Sequence, residues 1–209
     1  MAKIYPHHHH HKEEERLYYS GGSMNNNSKR ERYTIWMKSL VFHSNGCTVY
    51  DSKGDIVYRV DNYDSKGISE VNLMDLKGTV LCTIHKRRVG FGSWDGFRNW
   101  SKKEEMTRWF QVKKCSKMAM LKKKNPKIAC EMRVGTLHKY SIVSTAGKAP
   151  FLFNITNTDG LIVAEVKQKQ SWSGVVLGDD VVTLDVEANT DHSLIVAFVM
   201  VYGLICGRM

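Results

Sequence analysis

The residue types that carry chemistry are scattered along this chain instead of converging on a catalytic pattern. A serine hydrolase needs a strained Gly-x-Ser-x-Gly turn to expose its nucleophile, and no such pentapeptide occurs. The phosphate-cradling P-loop is absent too, because Gly147-Lys148 lacks an earlier glycine at the required spacing. Gly90-Phe-Gly92-Ser-Trp-Asp-Gly96 comes near a dinucleotide fingerprint, but its third glycine falls one residue late and no strand-helix-strand unit surrounds it. His43, His85, His138 and His192 have no spacing that would put two of them on one ligand face, so each reads as a single satisfied histidine. Asp179-Asp180 with Asp185 and Glu187 lacks the D-x-D-x-D-G pattern of a calcium loop and reads as a solvated turn beside a strand. Five cysteines (Cys47, Cys82, Cys115, Cys130 and Cys206) form no C-x-x-C and read as buried free thiols. No catalytic residue, metal site or cofactor is expected.

Charge is the feature with functional content. The net charge is +10, and between Lys86 and Arg133 there are 15 Lys and Arg against four acids (Asp95, Glu104, Glu105, Glu131). The rest of the chain holds 16 basic and 17 acidic residues, so the excess belongs to one middle segment. The candidate lipid- or phosphate-binding residues are Lys86, Arg87 and Arg88, Lys113, Lys114 and Lys117, and Lys122, Lys123, Lys124 and Lys127. Near an anionic leaflet each such residue contributes roughly 1 kcal/mol, enough for reversible docking by several together. The alternative is an ordinary solvated surface. Trp94, Phe97, Trp100, Trp109 and Phe110 lie among these charges, and aromatics interleaved with Arg and Lys also suit single-stranded nucleic acid. The RNA-recognition octapeptide is not met, and core packing explains the rings more simply.

The elements that must position these residues are mostly strands. Residues 1–32, with His7–His11, Glu13–Glu15 and Asn25–Asn27, have almost no apolar periodicity and read as a disordered tail, its histidines an expression tag or a natural tract. Residues 33–209 read as one domain. Short runs rich in Val, Ile, Tyr and Phe predict twelve strands near Thr34–Phe42, Cys47–Tyr50, Ile56–Val60, Glu70–Met74, Val80–Arg88, Trp109–Lys114, Met118–Lys122, Ile128–Val134, Tyr140–Ser144, Phe151–Thr156, Ile162–Lys167 and Val181–Val186. Asp51-Ser-Lys-Gly54, Asp75-Leu-Lys-Gly78 and Asn157-Thr-Asp-Gly160 repeat one hairpin device: Asp or Asn can bond nearby amides, and Gly supplies a positive φ. Hairpins in series argue for an antiparallel meander or barrel. Leu194–Gly207 (LIVAFVMVYGLICG) carries no charge on any face and follows capping residues at Asn189–Ser193, which predicts a buried helix. At about 21 Å it falls short of the roughly 30 Å hydrocarbon core of a bilayer. The amino terminus shows no secretory signal pattern, so a reduced, intracellular setting is expected.

Several phrases resemble the LURP-one-related proteins of plants, whose domain is similar to the tubby C-terminal group. They are Thr34-Ile-Trp36-Met-Lys38-Ser-Leu40, Tyr50-Asp51 with Gly54, Val57-Tyr-Arg59-Val60-Asp61-Asn62-Tyr63, Leu73-Met74-Asp75 with Gly78, and Asp191-His192 leading into Leu194-Ile195-Val196; the opening Met1-Ala-Lys3-Ile-Tyr-Pro6 also matches. The ending Tyr202-Gly-Leu-Ile-Cys-Gly-Arg-Met209 departs from the acidic ending common in the family. The resemblance implies an all-β fold with one buried helix: a twelve-stranded antiparallel closed β-barrel around a hydrophobic C-terminal α-helix, similar to tubby proteins and phospholipid scramblases. It further implies a non-enzymatic binding or regulatory module, peripheral to the plasma membrane through phosphoinositide or another anionic phospholipid, with a plant defence or stress role. A nucleic-acid-associated, transcription-type factor in the nucleus is the alternative, and lipid scrambling ranks last. A monomer is expected.

Overall fold

The computed structural model describes residues 29–37, 45–65, 68–87, 92–99, 106–115, 128–144 and 151–209. Its strands are β1 (Glu31–Trp36), β2 (Asn45–Tyr50), β3 (Ile56–Ser65), β4 (Ile68–Met74), β5 (Val80–Lys86), β6 (Ser93–Asn99), β7 (Met106–Lys114), β8 (Ile128–Val134), β9 (His138–Ser144), β10 (Phe153–Thr156), β11 (Ile162–Gln168) and β12 (Val181–Val186). Each pairs antiparallel with its sequence neighbours, and β1 pairs with β12 from Glu31↔Val186 to Trp36↔Val181, which closes the barrel. Closure leaves no strand edge unpaired among these twelve. β1 begins at Glu31, two residues ahead of the expected domain start.

The expected fold is therefore present, with one exchange of elements. The sequence reading gave no strand to Ser93–Asn99, yet β6 pairs there with β5 and β7. The expected strand Met118–Lys122 lies outside the described residues, and β7 pairs directly with β8 from Phe110↔Val134 to Lys114↔Cys130. Gly96 explains why β6 is hard to read. A Cβ at this position would overlap the ring of Phe110, so the last glycine of the near-fingerprint Gly90–Gly96 is the space into which that ring packs. Phe110 is fully buried and meets Phe198 edge-on at 5.2 Å, which leaves it little room to yield. Gly96→Ala is expected to cost about 1–3 kcal/mol and to lower the thermal midpoint by several degrees. An unchanged midpoint in a calorimetric scan would show that the ring moves aside freely.

The inward residues of the strands, such as Ile35, Val49, Leu73, Ile84, Val112, Met132, Ile142, Phe153 and Leu184, are fully buried around α1 (His192–Ile205), the one helix among the described residues. Every residue of α1 from His192 to Gly203 is buried, as a helix apolar on all faces requires. Asp191 caps it: Oδ1 accepts from Leu194 N at 3.2 Å and from Ser193 Oγ at 2.6 Å. The unusual ending closes as a Schellman motif, with Gly207 at φ 65°, Arg208 N donating to Gly203 O at 2.9 Å and Gly207 N to Leu204 O at 3.3 Å. No helix among the described residues is long and apolar enough to cross a membrane.

Because the strands alternate in direction around the ring, the connections sort onto two ends. At the end where α1 begins lie the turns Asp51–Asp55, Asp75–Thr79 and Asn157–Leu161. In each, one Asp or Asn oxygen accepts two backbone amides: Asp51 Oδ1 from Lys53 and Asp55, Asp75 Oδ1 from Lys77 and Thr79, Asn157 Oδ1 from Asp159 and Leu161, all at 2.8–3.0 Å. This is the hairpin device read from the sequence. The other end, where α1 finishes, carries the β5–β6, β7–β8 and β11–β12 connections.

Candidate functional site

The register of β5, β6 and β7 brings four of the ten candidate residues to one rim. Lys86 pairs with Trp94, and Arg87 N donates to Ser93 O at 2.9 Å. Ser93 in turn pairs with Lys113, while Lys114 N donates to Gly92 O at 2.9 Å. Lys86 and Arg87 thus flank the start of β6 on one side and Lys113 and Lys114 on the other, two strand spacings or about 10 Å apart. Lys86 Nζ stands 5.9 Å over the buried Trp94 ring, and Arg87 Nε lies 3.4 Å from Asp95 Oδ2. The side chains of Lys113 and Lys114 are exposed. Arg88, Lys117, Lys122, Lys123, Lys124 and Lys127 lie outside the described residues, on the two stretches that link strand ends at this rim.

Sorting by end shows a polarity that the linear count concealed. The connections at the end where α1 finishes (37–44, 66–67, 87–92, 115–127, 145–152 and 169–180) hold eleven Lys or Arg and two acids. Those at the opposite end (51–55, 75–79, 100–105, 135–137, 157–161 and 187–191) hold four Lys and eight acids. Arg208, just beyond α1, adds a further positive charge to the basic end. This is a polarity of the connecting sequences: of the eleven basic residues on the first set, Arg87 and Lys169 are among the described residues and the others lie outside them.

The other chemistry-bearing residues among those described make contacts within the fold. Arg98 lies 3.9 Å over the Trp109 ring and donates to Ser193 Oγ at 3.1 Å, tying β6 to the start of α1. The His192 Nδ1 and the Tyr33 hydroxyl are 2.7 Å apart, and the hydroxyl donates to Glu31 Oε2 at 2.6 Å. His85 sits 3.4 Å from Glu70 Oε2. The acids near β12 part company: Asp180 accepts from Trp36 Nε1 at 3.2 Å, whereas the buried Asp185 accepts from Arg32 Nε at 2.6 Å, and that guanidinium holds its carboxyl below the usual range. Burial pushes the Cys82 and Cys130 thiols up to about 12 and raises Cys47 and Cys206 as well, which favours the protonated thiol at these four positions. Among the described residues no group of three His, Cys, Asp or Glu could hold a metal ion.

A closed antiparallel barrel of twelve strands threaded by an apolar C-terminal helix defines the class of this protein. The chain belongs to the LURP-one-related family, whose sequence model matches residues 31–203. Protein LURP-one-related 11 of Arabidopsis thaliana is 42% identical over 187 residues, covering 85% of this chain and 79% of the relative. Protein LURP-one-related 4 of the same plant is 44% identical over 181 residues, covering 86% and 80%. Protein LURP-one-related 3, also from Arabidopsis thaliana, is 39% identical over 207 residues, covering 98% and 92%. The X-ray structure of an Arabidopsis thaliana protein superposes with a TM-score of 0.60 at 14% identity, over 90% of this chain and 99% of that one, a likeness of fold.

Proposed function

We propose that this chain is a non-enzymatic docking module that binds anionic phospholipid through the end of the barrel carrying the β5–β6 and β7–β8 connections. The observation that supports this reading is the segregation of charge, eleven basic residues against two acids on one set of connections and four against eight on the other. A flat anionic leaflet interacts with a whole end of a barrel at once, and roughly 1 kcal/mol for each basic residue near it sums to reversible, salt-sensitive binding. A peripheral intracellular location and a regulatory role in defence or stress are parts of the same proposal, as is action as a monomer.

Nucleic acid is the competing ligand, and the placement of the aromatics ranks it second. Trp94 and Phe110 are buried and Arg98 covers one face of the half-buried Trp109, so these three offer little open ring surface on which a base could stack. Flotation with phosphatidylcholine vesicles, with and without phosphoinositide, run beside gel shifts at matched salt, separates the two. Binding to the anionic vesicles alone, lost as salt rises, is the expected outcome. Tight oligonucleotide binding without flotation would overturn the lipid reading.

A further inference from the structure

The β11–β12 connection projects a second kind of surface from the basic end. Gln170 and Val176 form a bridge, Ser171 N donates to Val175 O at 2.7 Å, Gly174 N to Ser171 O at 3.0 Å and Leu177 N to Lys169 O at 2.8 Å, which makes residues 169–177 a small hairpin. Its turn has the backbone bonds of the three turns at the opposite end but one side-chain bond in place of two, Ser171 Oγ accepting from Val175 N at 3.1 Å, with Gly174 at φ 79°. The sequence reading missed it because serine is a weaker turn signal than Asp or Asn.

The base of the hairpin is tied down. Lys169 Nζ donates to Thr34 Oγ1 at 3.0 Å, Gln168 Nε2 to Asp179 Oδ1 at 3.4 Å, and Arg208 Nη1 to Asp179 O at 3.3 Å. Its tip, by contrast, is apolar and bare. Trp172 is 105% exposed, with Val175 at 63%, Val176 at 43% and Leu177 at 40%. Exposed leucines elsewhere, such as Leu76, Leu137 and Leu161, stand on turns at the acidic end, where an anionic surface would be repelled. Residues 169–178 hold Lys169 and no acid.

β5 and β11 are six places apart in a ring of twelve, so the hairpin faces the basic strand ends across one barrel mouth. A small soluble phosphate could touch only one side of that mouth. A flat bilayer meets both, taking charge on one side and an apolar wedge on the other. Tryptophan suits the boundary between headgroup and acyl chain, where its ring is shielded and its N–H still finds a partner. Charge attraction and apolar insertion add, as they do for interfacial helices.

We propose that residues 169–178 form a bilayer-insertion hairpin, with Trp172 seated at the headgroup boundary of an anionic membrane; this rests on the reading that the basic end docks there. The test uses the full chain and its Trp172→Ala and Trp172→Phe variants on phosphatidylcholine/phosphatidylserine vesicles with and without brominated acyl chains, with each protein also passed through gel filtration. Trp172→Ala is expected to bind about tenfold more weakly at an unchanged melting temperature, its salt dependence retained. Brominated chains are expected to quench the unsubstituted protein more than Trp172→Phe, which isolates Trp172 from the other four tryptophans. Tight vesicle binding that neither depends on Trp172 nor quenches it overturns the hairpin and leaves the basic end as the docking surface. Failure of the unsubstituted protein to bind overturns both readings. A dimer abolished by Trp172→Ala at unchanged vesicle affinity would assign the hairpin to a second copy of the chain instead.

Discussion

A chain ending at Asp191 is expected to show no cooperative thermal transition and to collect in the insoluble fraction. What it loses is the interior itself, because twelve residues of α1 are buried and the inward side chains of the strands close around them. Leu194, Ile195, Val196, Phe198, Val199, Met200 and Val201 are all buried, and full burial of such a side chain stabilises by about 1.5–3 kcal/mol each. Their sum, about 10–21 kcal/mol, is comparable to or larger than the roughly 5–15 kcal/mol net stability of a typical domain before the strand residues they cover are considered. Ring closure cannot compensate, since backbone pairing around an empty interior exposes Ile35, Ile84, Phe110 and Met132 to water. A single substitution grades the effect: Phe198→Ala removes a ring that meets Phe110 at 5.2 Å and Tyr140 at 5.5 Å, and is expected to cost about 3–5 kcal/mol while leaving a cooperative melt. A soluble truncated chain with a sharp transition would show that the barrel holds itself up.

The helix was legible because a fourteen-residue run with no charge has few places to go in a chain otherwise built of short strands. The hairpins at the acidic end were legible for a local reason, since Asp51, Asp75 and Asn157 each organise a turn through bonds made within four residues. β6 was not, because its identity as a strand depends on a distant ring: Gly96 reads as a breaker until Phe110 is placed against it. The network at the head of α1 was hidden for the same reason, Tyr33 and His192 being 159 residues apart in sequence. The basic residues themselves were legible, whereas the convergence of Lys86, Arg87, Lys113 and Lys114 on one rim was not. That follows from the alternation of antiparallel strands, which sends every second connection to the same side, and it could have been recovered by summing charge over alternate loops.

Replacing Lys122, Lys123 and Lys124 with Glu is expected to lower affinity for anionic vesicles by about 100-fold or more. These three form one of the two runs of three consecutive basic residues in the chain and lie between β7 and β8, whose ends Lys114 and Ile128 are on the side where α1 finishes. At roughly 1 kcal/mol for each lysine near the surface, losing three already removes about two powers of ten, and three new carboxylates add repulsion. The fold is expected to keep its melting temperature, because lysine is strongly hydrated and is rarely buried unpaired. Total charge alone also weakens binding, so the informative comparison is a change of similar sign at the other end. Lys53→Glu with Lys77→Glu reverses two charges on the turns Asp51–Asp55 and Asp75–Thr79, where both residues are exposed. If binding is set by which end faces the leaflet, that double variant loses little affinity and the triple variant loses most of it. Equal losses in the two would mean that net charge, not the polarity of the barrel, governs the interaction; an unchanged triple variant would reduce the lysine run to a solvated surface.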